Sequence, residues 1–405
     1  MKRDFMKLLA GGLSAVMLLA GCSGAAGGSD NSGAAGTSAD AGDAGTSADA
    51  GDTVKIGLNF ELTGEVSSYG TAERNGAQLA IDEFNAKEDK PFTVEGVEID
   101  SKGDPAESTT AAIKLIDEDK VAAIVGPATS APSIATYQAA SDKQTPVVSP
   151  SATQVDAMMN GDSPYEYAWR VCFEDSYQGA AMAIYAYETL GDKNAAIINE
   201  TSDYGQGLAK TFKEKFESLG GKVVAQEQYN AKDTDFASIL TKIKEKKFDV
   251  LYIAGYYGEA GLIIKQAREA GIDCNIVGAD GFESEKLAEL AGKENLNNVW
   301  YTTCYTTVNA SDELKSFIDD YTAKYDQAPN MFSALAYDAT NLVLDQLAAT
   351  GKTGAELNEA IKKADFTGLT GSFVFDEKTH TPKKTVLVVN QKDGVQTEVD
   401  EVEVK

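Results

Sequence analysis

Histidine is almost missing from this chain: His380 is the only one in 405 residues. That excludes two- and three-histidine metal sites. His380 lies in the polar run Thr379-His380-Thr381-Pro382, so much of common hydrolase and zinc chemistry is excluded as well. Basic residues are scarce too. Thirty-six Lys and Arg stand against 63 Asp and Glu, for a net charge of −27, which would repel a phosphate backbone and argues against a nucleic-acid partner. Cysteine is limited to Cys22, Cys172, Cys274 and Cys304, with no CxxC pair among them. The chemical motifs of common nucleotide and hydrolase folds are lacking. Gly351-Lys352-Thr353 comes nearest to a P-loop, but Gln346 stands where the earlier glycine is needed. No GxGxxG follows the first strand, and no GxSxG nucleophile elbow occurs.

Apolar residues make up 43% of the chain, enough for real cores, and the length suggests about two domains. Residues 1–22 are read as an address. Lys2, Arg3 and Lys7 precede an apolar run from Leu8 to Ala20, which is too short to span a bilayer as a helix of about 20 residues. The run ends in Leu19-Ala20-Gly21-Cys22, which resembles a bacterial lipobox and implies cleavage before Cys22 and acylation of that cysteine. The membrane would then be reached through this lipid alone. Residues 23–52 contain nothing more apolar than alanine and carry two near-identical nonapeptides, GTSADAGDA and GTSADAGDT. Such a segment cannot bury enough apolar area to offset its ordering entropy, so it is expected to be a flexible tether. With Cys22 lipidated, three cysteines remain. At most one disulfide can form, and burial as small apolar side chains is the favoured reading.

From Thr53 the pattern alternates strand and helix. Thr53–Phe60 reads as a strand, and Ala77, Ala80, Ile81 and Phe84 then fall at helical spacing. Asp104-Pro105-Ala106-Glu107 reads as an N-cap, a proline at the first helical position and a returning carboxylate. Strands are expected near 94–100, 121–126 and 145–149. After a polar insertion near Met158–Pro164 the rhythm restarts, with strands near 195–199, 222–226, 250–254, 275–278 and 298–302. Helices dominate from 311 to 364, and strand-like pieces close the chain at 371–375 and 385–390. This is an α/β chain of two doubly wound lobes, with parallel sheets covered by helices on both faces.

In open α/β sheets, ligands bind beyond the carboxyl ends of the strands. In the first half those loops carry small hydroxyl residues: Ser67-Ser68-Tyr69, Pro127-Ala128-Thr129-Ser130 and Pro150-Ser151-Ala152-Thr153. In the second half they carry aromatics and an acid: Asp203-Tyr204, Tyr256-Tyr257 and Ala279-Asp280. Hydroxyls with free amides at helix N-termini suit a carboxylate. A buried Asp280 suits an ammonium, and tyrosine faces cover apolar and cationic groups. Together these are the parts of an α-amino-acid site. Taken singly, Ser130 and Ser151 could equally cap helices and Asp280 could hold a turn.

Seven motifs occur in one order: IGLNFELTGEVSSYG (56–70), NGAQLAIDEFNA (75–86), VGPATSAPS (125–133), PVVSPSATQ (146–154), SDYGQGLAKTF (202–212), FDVLYIAGYYGEAGLIIKQAREAG (248–271) and NIVGADGF (275–282). On these the chain resembles the branched-chain amino-acid-binding lipoproteins of bacterial ABC importers, which have the type I periplasmic-binding fold. The resemblance implies an extracytoplasmic, lipid-anchored, monomeric binding protein without cofactor or enzymatic activity, with importer permease subunits as partners. It implies two lobes joined by three crossovers, the first comprising 53–173 plus 304–376 and the second 174–303 plus 377–405. Tyr69, Ala128, Thr129 and Ser130 would be first-lobe contacts. Ser151, Ala152 and Thr153 would follow, with Thr153 on the ligand carboxylate. Tyr204 and Tyr256 would close over the ligand, Asp280 would meet the ammonium, and Phe332 would line the apolar pocket. Thr129 stands where some members have a disulfide cysteine, so that bridge is expected to be absent. Two alternatives stay open: the same fold with an aromatic acid, amide or nucleoside as ligand, and a ligand sensor or cryptic hydrolase.

Overall fold

The computed structural model describes residues 53–308 and 310–404. The expected signal, Cys22 and the tether lie outside these residues. The chain runs β1 (Thr53–Phe60), α1 (Ser67–Ala86), β2 (Thr93–Asp100), α2 (Pro105–Asp117), β3 (Ala123–Val125), α3 (Ser130–Ser141) and β4 (Val147–Ser149). The polar insertion forms a small hairpin, β5 (Met159–Asn160) with β6 (Ser163–Pro164), before β7 (Ala168–Arg170). The second alternation is α4 (Asp175–Ile184), β8 (Asn194–Glu200), α5 (Asp203–Ser218), β9 (Lys222–Tyr229), α6 (Ala237–Lys244), β10 (Val250–Ala254), α7 (Tyr257–Glu269), β11 (Asn275–Gly278), α8 (Glu285–Ala291) and β12 (Val299–Thr303). It ends with α9 (Asp312–Tyr325), α10 (Met331–Thr350), α11 (Gly354–Lys362), β13 (Asp365–Gly368), β14 (Gly371–Val374), β15 (Val386–Lys392) and β16 (Val395–Val402).

One sheet has the order β2-β1-β3-β4-β7 and is parallel throughout. Its inner strands are buried on both faces, which is why they read as apolar runs without alternation. The other has the order β16-β15-β12-β11-β10-β8-β9, parallel from β9 to β12. Its last two strands depart from the parallel expectation: β15 is antiparallel to β12, and β16 to β15. The chain reaches this edge from the far lobe with no crossover helix, so it can only reverse by a hairpin. Asp393 and Gly394 make that turn with φ of 50° and 78°, the geometry an Asp-Gly pair favours. β7 escapes the sequence reading because three residues after a polar hairpin give too little pattern.

Local signals fix the helix ends. Asp104 accepts from the N–H groups of Ala106 and Glu107, and Asn330 and Ser333 form a reciprocal capping box at the start of α10. α10 packs along α1 and against the first sheet, so the late helical run belongs to the first sheet's layer. Gly76 permits that approach, since a methyl there would lie 2.0 Å from the Ser333 carbonyl oxygen. Three stretches pass between the sheets: after β7, after β12 and after β14. Buried Arg170 ties the first to the third, donating from Nε to Thr381 Oγ1 at 2.8 Å and from Nη2 to Glu174 Oε2 at 2.9 Å. The lone histidine is structural: buried His380 stacks on Trp169 at 3.9 Å, with Nδ1 3.0 Å from the Ala168 carbonyl oxygen. Cys172, Cys274 and Cys304 are all free thiols, the first and last buried. No helix among the described residues is long and apolar enough to cross a membrane.

Candidate functional site

Strand ends from both sheets converge on one narrow pocket. Tyr69, Ala128, Thr129, Ser130, Ser151, Thr153, Tyr204, Tyr256, Asp280 and Phe332 line it, so ten of the eleven expected contacts meet there. The eleventh, Ala152, does not line it. Its N–H donates to Ser149 Oγ at 3.0 Å, and its carbonyl oxygen accepts from Arg170 Nη1 at 2.9 Å. Gly281, in the same strand-end loop as Asp280, lines the cavity as well, without having been expected as a contact.

The aromatic wall is continuous. Tyr204 and Tyr256 stack with centroids 4.8 Å apart and planes 1° from parallel. Tyr69 meets Tyr256 edge-on at 5.9 Å and lies 4.2 Å from Phe332, at the first turn of α10. Tyr204 Oη donates to Asp280 Oδ1 at 2.6 Å and accepts from the Gly281 N–H at 3.1 Å. Gln178 Nε2 donates to the same Asp280 oxygen at 3.0 Å. Burial pushes the Asp280 carboxyl up, and these two donors oppose that push. Gln178 also donates to Asp175 Oδ1 at 2.7 Å, while its own Oε1 accepts from Thr302 Oγ1 at 2.7 Å. Asp175 is buried with Oδ2 unpartnered among the described residues, and desolvation, with the Asp280 charge beside it, raises its carboxyl to about 8. A second carboxyl group therefore lies behind the second-lobe wall, where one alone was expected.

The first-lobe wall departs from expectation in a specific way. The amides at the start of α3 were expected to be free for a carboxylate. Those of Ala128 and Thr129 instead donate to Glu61, each at 2.9 Å, and Thr129 Oγ1 adds a third hydrogen bond at 2.7 Å. Desolvation raises the Glu61 carboxyl, and these donors pull it back. The protein's own anion thus takes the place at this helix N-terminus that an external one would fill. Ser130 Oγ accepts from the Gln154 N–H at 3.1 Å, joining the two ligand-facing loops. Ser151 Oγ reaches Ala128 O at 2.9 Å and also Glu73 Oε1.

Hydrogen bonds also cross the cleft. Tyr69 Oη donates to Gly281 O at 2.5 Å, Tyr257 Oη donates to Glu65 O at 2.5 Å, and Ser68 Oγ meets Ser284 Oγ at 2.8 Å. Glu283 accepts from Met331 N and Thr303 Oγ1, each at 2.9 Å, capping α10 from the opposite lobe. Glu61, Glu73, Asp175 and Gln178 went unread in the sequence. Glu73 falls four residues after Tyr69 on one helix face, a signal that was available. Asp175 and Gln178 follow the unrecognised β7, so no strand end pointed to them.

Residues 53–396 match the periplasmic binding protein family. The leucine-, isoleucine-, valine-, threonine- and alanine-binding protein of Pseudomonas aeruginosa is 30% identical over 350 residues, covering 86% of this chain and 92% of that protein. Among solved structures, the branched-chain amino acid transporter substrate-binding protein LivJ of Streptococcus pneumoniae, in complex with isoleucine, is 39% identical. Its TM-score is 0.82, and the match covers 87% of this chain and 99% of that one. The leucine-binding protein LivK of Thermotoga maritima follows at 34% identity and a TM-score of 0.79, with 86% and 98% covered. The fold, the converging strand ends and these likenesses lead to one conclusion: the chain belongs to the periplasmic binding protein family, in its type I branched-chain amino-acid-binding group, whose members bind rather than catalyse.

Proposed function

We propose that this protein captures a branched-chain amino acid between its lobes and hands it to an ABC importer from a lipid anchor at Cys22. The observation that carries the reading is the opposition of Ser130 and Thr153 on one wall to buried Asp280 and the stacked tyrosines on the other, around one cavity. On this reading Thr153 and Ser130 meet the ligand carboxylate, Asp280 meets the ammonium, and Tyr69, Ala128, Tyr256 and Phe332 enclose the aliphatic side chain. The names of the relatives support the same ligand class.

Burial of a zwitterion is tolerable only when each charge meets a partner, because an unpaired buried ion costs several kcal/mol. An analogue without the ammonium leaves Asp280 alone and should bind roughly 10⁴-fold more weakly. One methylene more or less costs about 1–3 kcal/mol, so leucine, isoleucine and valine should all be accepted. Ligand contacts with both walls favour the closed form, which shifts the population toward it. A thermal-shift screen over all amino acids tests the reading. Leucine, isoleucine or valine should raise the melting temperature, and Asp280→Ala should abolish the rise. A chain that responds to no amino acid would refute the ligand assignment. For the anchor, Cys22→Ala should release the protein from the membrane fraction; unchanged membrane association would count against lipidation.

A further inference from the structure

Glu73 stands on α1, four residues beyond Tyr69, and is completely buried. Its Oε1 contacts Ser151 Oγ, and its Oε2 has no partner among the described residues. The same Ser151 oxygen lies 2.9 Å from the Ala128 carbonyl oxygen. A serine hydroxyl carries one hydrogen. If Glu73 were ionised, that hydrogen could serve only one of two acceptors, and the other contact would press two bare oxygens together without solvent. If Glu73 carries a proton, its O–H donates to Ser151 Oγ, and Ser151 donates to Ala128 O. Every contact in the chain is then a hydrogen bond.

The surroundings favour the same state. The titratable group facing Glu73 is Glu61, from the end of β1, whose carboxylate already accepts three hydrogen bonds from Ala128 and Thr129. The loops after β3 and β4 face it with Ala128 O and Ser151 Oγ. Burial, and then the Glu61 charge, push the Glu73 carboxyl well above its ordinary range.

We propose that Glu73 is a proton-bearing positioning residue that fastens the Ser151 loop to the Ala128 loop and so sets the shape of the first-lobe half of the cleft. It does not line the cavity and acts through the two residues that do. The inference rests on the reading of the cleft as an amino-acid site. The neutral form is the competent one, so this contribution to binding is lost as pH rises through the raised Glu73 pKa.

Two measurements on the whole purified chain test this. Difference infrared spectroscopy at neutral pH, wild type minus Glu73→Gln, should reveal the C=O stretch of a protonated carboxyl; its absence overturns the proposal. In leucine titrations, Glu73→Gln can still donate to Ser151 and should hold affinity within about threefold, whereas Glu73→Leu should lose about tenfold or more. Wild-type affinity should fall at a lower pH than that of Glu73→Gln as the solution is made more basic; coincident profiles overturn the proposal. If the wild-type chain binds no aliphatic amino acid, the ligand reading fails, and the infrared band alone decides the state of Glu73.

Discussion

On the first-lobe wall, Glu61, Glu73, Ser130 and Ser151 direct their hydrogen bonds to one another and to the loop backbone. On the second-lobe wall, Asp280 is held by Tyr204 and Gln178 yet meets no cation, and Asp175 beside it keeps one oxygen unpartnered among the described residues. One wall ties its own loops together, although Glu73 also keeps one oxygen unpartnered among the described residues. The other is poised for positive charge. The contrast teaches that rigidity and charge recognition are divided between the lobes: the first supplies loops tied into a preset shape, the second a buried acid whose desolvation is offset in part by Tyr204 and Gln178 and further by a cationic ligand.

The largest test of that contrast is Asp280→Ala. Removing one partner of a buried charge pair costs about 2–5 kcal/mol, so leucine affinity measured by calorimetry should fall by roughly two to three orders of magnitude. Ser130→Ala on the opposite wall should cost less, about tenfold to a hundredfold, because one of several hydrogen bonds to the ligand carboxylate is lost. Equal losses at the two positions would erase the division. Next in size is Glu61→Ala, which strands the buried Ala128 and Thr129 amides. It should lower folding stability by about 2 kcal/mol in urea denaturation, visible even without ligand. Tyr204→Phe should follow. It leaves the aromatic stack in place but removes the donor to Asp280 and the acceptor for Gly281, for about a tenfold weaker affinity.

Stability itself should also depend on pH. Burial raises the Asp175 carboxyl to about 8 and those of Glu200 and Glu283 to about 7. Each holds a proton in the folded state that the unfolded chain releases above the ordinary carboxyl range. Their contribution is therefore full below that range and is lost as pH rises through 7 to 8. The melting temperature of the ligand-free protein should be higher at pH 5 than at pH 8, and Asp175→Asn should flatten the slope. A melting temperature that rises between pH 5 and pH 8 would place these carboxyls in their ionised form.

Much of this molecule was legible in the residue pattern. The apolar runs Val250–Ala254 and Ala195–Asn199 were expected as strands, as found. Asp104-Pro105 announced the start of α2. Ten of the expected contacts lay just beyond strands or at helix starts, where the geometry of open sheets collects ligand-facing groups. The antiparallel edge was less visible, although Asp393-Gly394 carried the hairpin signal. β7 was hidden behind its polar hairpin, and Asp175 and Gln178 were hidden with it.

The sequence alone determined the alternation of strand and helix and the division of hydroxyl loops from aromatic loops. These follow from local periodicity, composition and the position of loops relative to strands. Only the tertiary structure decided which polar groups are spoken for. Glu61 takes the amides that α3 would otherwise present, and Glu73 and Asp175 become buried acids rather than surface charges. Those outcomes depend on burial and on partners many residues distant, and neither is written in the neighbourhood of the residue concerned.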